Sequence, residues 1–147
     1  MCRLSKSKLI AFRQCPKRLW LELHKAEIKD DSGSQAAFNI GHQVGDIALK
    51  VFDPMGKGIN LDPNNIGWEA AATQTEASLQ SGNGPVFEAL LRIPSALALA
   101  DVMLPDLSSD TVKWEMLEVK SSTGVKDYHR DDVAIQTYIA QLSGITL

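Results

Sequence analysis

The sequence contains little cysteine and no long apolar run. Its two cysteines, Cys2 and Cys15, are too few for a disulfide framework or a four-cysteine metal site, and such a low content is typical of a reducing, cytoplasmic setting. The longest mostly apolar stretch, residues 93–105, contains Asp101 and is shorter than the roughly 20 residues that a membrane span needs. We therefore expect neither a disulfide-stabilised secreted protein nor a membrane-spanning one.

Aromatic residues are also few, at 6%, but hydrophobic residues make up 44% of the 147 residues, which is an ordinary globular composition. This length is typical of one domain. The net charge of −3 conceals an uneven distribution, because the first 25 residues carry +6 and the remaining 122 carry −9. A basic arm on an acidic body suits a protein that holds a polyanion at one place and cations at another, although a solvated basic helix face gives the same count.

Apolar spacing divides the chain into a mainly helical part, residues 1–84, and a part with strands, residues 85–147. Helices are predicted from about Lys6, with Ser5 or Ser7 as N-cap, and then, after a break at Cys15-Pro16, over residues 17–24, 35–52 and 68–79. Residues 53–67 are predicted to be an irregular loop. Two glycines in the 35–52 segment, Gly41 and Gly45, indicate either close packing or the approach of a functional group.

The second part of the chain has period-two patterning. It predicts strands over residues 86–93, 96–104 and 112–121, a helix over 127–142, and the first residues of another strand at 145–147. The predicted fold class is α/β (α+β): a single domain in which a central mixed sheet of three to four strands is flanked by helices and preceded by a basic helical arm.

Two carboxylates, Asp101 and Glu118, lie within predicted strands at positions that indicate a function. Asp101 interrupts the apolar strand 96–104, where a buried carboxylate needs an ion partner or a bound cation. Glu118 and Lys120 are two apart, so on a strand both side chains leave one face while Val119 points to the other. If Asp101 and Glu118 lie on neighbouring strands, their carboxylates and the Lys120 ammonium come together. The two carboxylates would then offer oxygen ligands for Mg²⁺ or Mn²⁺. An inter-strand salt bridge without a catalytic role is the alternative.

The Asp101 … Glu118-Val119-Lys120 arrangement resembles the PD-(D/E)xK nuclease superfamily, without the proline that precedes its aspartate. The wider pattern is similar to the RecB-type branch, close to the CRISPR-associated adaptation exonucleases and a related bacterial family of uncharacterised function. The supporting segments are residues 5–21, 41–46, 85–88 and 133–136. The resemblance implies a restriction-endonuclease-like core and a Mg²⁺- or Mn²⁺-dependent (exo)deoxyribonuclease. Such an enzyme hydrolyses DNA, with single strands or ends preferred, by attack of a metal-bound water.

The resemblance also implies roles for individual residues. Asp101 and Glu118, with the Val119 carbonyl, would ligate the metal, and Lys120 would position or activate the attacking water. His42 would be a metal-ligating histidine and Glu88 an additional acidic ligand. From the residues alone, a core or capping histidine and an exposed strand glutamate remain the alternatives.

Two further segments match the branch in part. Gln136 corresponds to the glutamine of the branch's helix motif, which contacts the site or the nucleic acid, but the aromatic residue expected four positions later is Ala140, with Tyr138 displaced by two. Cys15 corresponds to the first of four cysteines that hold an iron–sulfur cluster in some members. Because no cysteine follows it here, we expect no cluster, and Cys15 as a small buried residue.

The resemblance makes the basic arm a surface for phosphate contacts, which give affinity without sequence preference. The candidate nucleic-acid-binding residues are Lys6, Lys8, Arg13, Lys17, Arg18 and Tyr138.

Two other interpretations stay open. The first is a catalytically silent nucleic-acid-binding module on the same scaffold, which Ala140 favours. The second is the N-terminal fragment of a larger DNA-processing protein, truncated at its C-terminal end, whose sheet a missing C-terminal domain or a homodimer would complete.

Overall fold

The computed structural model describes residues 4–28, 34–108 and 111–147, and for residues 34–39 it describes the backbone alone. Cys2 lies outside these ranges. The described helices are α1 (Lys6–Gln14), α2 (Pro16–His24), α3 (Ser34–Phe52), α4 (Pro63–Ile66), α5 (Trp68–Ser81) and α6 (Asp127–Leu142), with a 3₁₀ turn at Ala26–Ile28. The described strands are β1 (Leu4–Ser5), β2 (Ile59–Asn60), β3 (Val86–Arg92), β4 (Ala96–Pro105) and β5 (Trp114–Leu117).

The five strands form one mixed sheet in the order β1–β4–β3–β2, and β5 also pairs with β4. One edge of β4 carries β3. On the other edge, β1 pairs in parallel with Ala96–Leu97 and β5 pairs antiparallel with residues 102–105, so residues 98–101 have no strand partner there among the described residues. The predicted α/β class is thereby confirmed, with five strands in place of three to four.

Local signals explain where several helices begin and end. The Ser5 hydroxyl accepts a hydrogen bond from the Lys8 N–H at 3.4 Å, which makes Ser5 the N-cap of α1. Pro16 opens α2 after the extended residue Cys15. Helix α5 ends at Gly82, whose φ of +63° is the left-handed conformation that glycine adopts readily at a helix C-terminus.

The main apolar cluster lies between the sheet and the helices α5 and α6. Its β4 residues include the small side chains Ala96, Ala98 and Ala100, which let Ile139 of α6 approach the sheet closely. The Trp114 indole donates to the Leu79 carbonyl of α5 at 3.1 Å. A second cluster joins Ala48 of α3 to Phe87 and Val102 of the sheet. Helix α3 thus lies against the part of the sheet where β3, β4 and β5 meet.

Several sequence expectations need correction. The strand predicted over 112–121 spans only Trp114–Leu117, and the loop predicted over 53–67 contains β2 and α4. Residues 145–147 are not a strand, although the Thr146 carbonyl accepts from the Trp114 N–H at 2.9 Å. Cys15 is exposed, not buried; it directly precedes α2, a helix that buries none of its own side chains.

No helix in the described ranges combines the length and the apolar character that crossing a bilayer requires.

Candidate functional site

A cleft of about 480 Å³ opens beside the unpaired part of the β4 edge. Helix α3 contributes Gly41, His42 and Gly45 to its wall, and the start of α4 contributes Asp62. The sheet and the segment after β5 contribute the charged residues Glu88, Asp101, Glu118 and Lys120, together with Val119. The cleft therefore collects most of the side chains singled out in the sequence.

Three of the carboxylates occupy adjacent positions across the sheet. Glu88 lies opposite Asp101, between the pairs Phe87–Val102 and Ala89–Ala100. Glu118 follows Leu117, which pairs with Val102, so the next position of that ladder places Glu118 beside Asp101. Directly opposed residues on antiparallel strands have side chains within a few ångströms of each other. The sheet therefore brings together carboxylates that are 13 and 17 positions apart in the chain.

The backbone is distorted where this row crosses β3. Glu88 has a φ of +53°, an uncommon value for a residue other than glycine, and regular pairing is interrupted between it and Asp101. The burial pattern changes at the same point: Ala100 and Met103 belong to the main cluster, whereas Val102 joins the second. Strain of this kind collects at functional sites, where the surrounding structure holds it in place.

Burial and mutual repulsion disfavour the charged forms of two of these carboxyls. The pKa of Glu88 rises from 4.5 to about 7, chiefly because the group is withdrawn from water and then because Asp101 and Asp62 are close. The pKa of Asp101 is also raised, by burial and by the charge of Glu118. A hydrogen bond from the Val119 N–H to Oδ2 of Asp101, at 2.7 Å, acts in the opposite direction. The cleft holds more negative charge than its own cations neutralise.

Glu118, in contrast, is surrounded by hydrogen-bond donors. Nζ of Lys6 lies 3.1 Å and 3.3 Å from its two carboxylate oxygens, and Lys120 and the Gln136 amide donate to it as well. Burial alone would raise the pKa of Glu118, but the charge of Lys6 and the bonds from Gln136 and Lys120 outweigh it and hold the pKa below its usual value. Glu118 is therefore the anionic centre of the group.

Lys120 is held by two carboxylates. Its Nζ contacts Glu118 and lies 2.9 Å from Oδ2 of Asp132 on α6. Burial alone would lower the pKa of Lys120, but Asp132 and Glu118 outweigh it and raise the pKa above the usual value. Lys120 is consequently an ammonium at neutral pH, which suits orienting a ligand or stabilising negative charge and does not suit proton abstraction.

The structure places the remaining predicted residues differently. Lys6 was expected to contact phosphate, but it lies in the cleft against Glu118. Arg13 forms a two-point ion pair with Asp131, and Arg18 pairs with Glu22 at 2.7 Å.

Lys8 is half-buried on α1, whereas Lys17 is exposed on α2. Tyr138 is exposed and borders a groove next to Arg13, away from the cleft. Of the predicted nucleic-acid-binding residues, only Lys6 thus lines the cleft.

Sequence reasoning missed three acidic residues at the site: Asp46 and Asp62, which line the cleft, and Asp132, which holds Lys120. Asp132 and Gln136 lie one helical turn apart on the buried side of α6, next to Ile139 and Ala140. His129 is buried on the same helix, so three of its five buried residues are polar, and this polar content was the available signal.

The carboxylate oxygens in the cleft are the type of ligand that Mg²⁺ and Mn²⁺ prefer, and the excess negative charge of the cleft fits a hard divalent cation. The described residues nevertheless contain no group of three or more His, Cys, Asp and Glu side chains already arranged around one point. The contacts of Glu118 give a reason, because both of its oxygens are taken by Lys6, Lys120 and Gln136.

Searches against protein-family models, curated proteins and solved structures found no match to this chain. Its function is therefore inferred from the chemistry of the cleft.

Proposed function

We propose that the protein is a Mg²⁺- or Mn²⁺-dependent nuclease of the PD-(D/E)xK type, with a RecB-like domain, that hydrolyses phosphodiester bonds in DNA. The observation that carries the proposal is the row of Glu88 on β3, Asp101 on β4 and Glu118 directly after β5, with Lys120 beside it, on the wall of one cleft. The low cysteine content makes the cytoplasm the proposed location.

Asp101 and Glu118 are the residues that would hold the cation, with Glu88 as a further acidic ligand and His42 across the cleft. A bound divalent cation would supply a water of lowered pKa and neutralise charge on the phosphate. Lys120, kept as an ammonium by Asp132, stabilises the negative charge that develops on the phosphate. Gln136 holds Glu118 in place from α6 by donating to its carboxylate.

DNA binding draws on the charge of the N-terminal arm. Lys17 is exposed on α2, and it and Lys8 are the basic residues of the arm for which we propose phosphate contacts. Contacts of this kind supply affinity for any sequence. The proposed preference for single strands or ends comes from the resemblance to the RecB-type branch.

The proposal is tested by incubating end-labelled single- and double-stranded DNA with the protein and Mn²⁺. We expect cleavage by the wild type and a loss of at least about 100-fold in Glu118→Gln and Lys120→Met, the size typical of removing a group that stabilises the transition state. Glu115→Gln is the matched control, because Glu115 is exposed on β5 and outside the cleft. Cleavage that survives in Glu118→Gln would overturn the assignment.

A silent nucleic-acid-binding module is the second candidate. The observation in its favour is that the donors around Glu118 already occupy the carboxylate, as in a structural ion-pair network. DNA that is retained with and without Mn²⁺ and never cleaved would favour this candidate.

A further inference from the structure

Lys6 lies beside residues 98–101 of β4, the gap on this edge of the strand where the described residues offer no strand partner. Its Nζ donates to the Leu99 carbonyl at 3.4 Å and to both oxygens of Glu118, although Lys6 and Glu118 are 112 positions apart. The side chain of Lys6 is 19% exposed and that of Glu118 4% exposed. The pair is thus largely withdrawn from solvent, where an ion pair is much less screened than on a surface.

The local fold directs Lys6 to this position. Ser5 pairs with Leu97 in the parallel β1–β4 ladder and also caps α1, so the chain leaves the sheet edge at Lys6. Pairing with β5 resumes only at Val102. Lys6 is therefore the first residue of α1 and lies next to the stretch of β4 that has no strand partner among the described residues.

The contacts of Lys6 are of the kind a divalent cation would use. Its ammonium touches two carboxylate oxygens and one backbone carbonyl oxygen, the ligand types that Mg²⁺ and Mn²⁺ take from proteins. An ammonium and a divalent cation at the same carboxylate repel each other. Lys120 also contacts Glu118, but it keeps Asp132 as a second carboxylate partner, whereas the other contact of Lys6 is the neutral Leu99 carbonyl.

We propose that Lys6 is a built-in competitor of the divalent cation: its ammonium holds Glu118 when no metal is bound and leaves Glu118 when metal binds. The flexible four-carbon stem of lysine allows this without a change in the backbone. Metal binding is thereby coupled to the release of a positive charge at the start of α1, where it becomes available to a phosphate in the cleft. This inference rests on the proposed function, because it takes the cleft to be a metal site.

The first experiment measures Mn²⁺ affinity by isothermal titration calorimetry, without DNA. Lys6→Met should bind Mn²⁺ at least tenfold more tightly than the wild type, since the competing cation is gone. Lys57→Met should bind like the wild type, because Lys57 is exposed and lies outside the cleft. Equal or weaker binding by folded Lys6→Met would overturn the inference.

The second experiment uses the wild type alone, so its outcome does not depend on the folding of a variant. Lysines are acetylated for short times with and without Mn²⁺, and the rate at each lysine is measured by mass spectrometry. Modification of Lys6 should become at least threefold faster with Mn²⁺, while Lys57 keeps its rate. An unchanged rate at Lys6 under saturating Mn²⁺ would contradict the inference.

The two proposals fail in different ways. If the wild type binds Mn²⁺ and Asp101→Asn abolishes the binding, but Lys6→Met binds no more tightly, the metal site stands and the role of Lys6 is wrong. If neither the folded wild type nor folded Lys6→Met binds Mn²⁺, both proposals are wrong.

Discussion

Glu88 and Asp101 face each other on neighbouring antiparallel strands, at the position where the pairing between β3 and β4 is interrupted. The backbone of Glu88 is in the left-handed region, with a φ of +53°, and after burial the charge of Asp101 is the largest cause of the raised pKa of Glu88. Backbone strain and like-charge repulsion thus coincide at two residues that line one cleft. This combination is typical of a site shaped for a ligand and not for stability alone.

The first prediction concerns the stability of Glu88→Gln. The pKa of Glu88 is about 7 in the folded protein against 4.5 ordinarily, so the stability that the protonated group provides at low pH is lost as the pH rises from about 4.5 through about 7. At pH 8 the variant should be more stable than the wild type by about 1–2 kcal/mol, a value that allows for the solvent at the cleft mouth. Urea unfolding at pH 4.5 and pH 8 measures the difference.

At pH 4.5 the advantage of Glu88→Gln should be much smaller, because the wild-type group is then largely protonated. Glu115→Gln, at the exposed position on β5, should show no comparable change between the two pH values. A difference between Glu88→Gln and the wild type that is the same at both pH values would show that Glu88 is not destabilised by its charge.

The second prediction concerns Asp132, the acidic residue that holds Lys120 at 2.9 Å. Asp132→Asn should lower kcat for DNA cleavage by about 10- to 100-fold, the usual effect of removing a group that orients another residue of the site. KM should change little, since Asp132 does not line the cleft. Asp132→Glu should restore part of the rate. Equal activity of Asp132→Asn and wild type in steady-state kinetics would remove Asp132 from the site.

The third prediction concerns Gly45, on the wall that α3 contributes to the cleft. A Cβ at Gly45 would meet no atom of the described residues within 4 Å, so of the two reasons the sequence offered for this glycine, close packing is wrong. Gly45→Ala should therefore stabilise the protein by about 0.5–1 kcal/mol through helix propensity. Its methyl group narrows the cleft, so we expect DNA binding to weaken by about fivefold, near 1 kcal/mol.

Thermal unfolding and fluorescence anisotropy with labelled DNA measure the two effects of Gly45→Ala. Ala77→Gly, on the exposed side of α5, is the reverse control: it should lower stability by a similar amount and leave DNA binding unchanged. If Gly45→Ala raises stability with full DNA affinity, this wall of the cleft does not approach the nucleic acid.

Much of the fold could be predicted because its main elements are long and periodic. Helix α6 has the predicted bounds, and β3 and β4 differ from their predictions by one residue each. The two-residue strands β1 and β2 could not be found in this way. They are too short to show a period, and they exist only because Ala96–Leu97 and Val86–Phe87 offer them partners.

The site was predictable where a residue contradicts its surroundings. Asp101 could be identified because it interrupts an apolar strand, and Glu118 and Lys120 because of their spacing. The position of Lys6 could not, because it depends on the gap that β1 and β5 leave on the edge of β4. The exposure of Cys15 likewise depends on how little α2 packs against the rest of the protein, which no local pattern records.

The central claim, that Asp101 and Glu118 hold a divalent cation in the cleft, is tested most directly by anomalous diffraction from crystals soaked in Mn²⁺. We predict one strong peak at about 2.1–2.3 Å from carboxylate oxygens of both residues, with the Lys6 ammonium withdrawn from Glu118. The peak should be absent from crystals of Asp101→Asn. A structure at saturating Mn²⁺ with no peak between Asp101 and Glu118, and with Lys6 still bound to Glu118 as in the present structure, would contradict the claim.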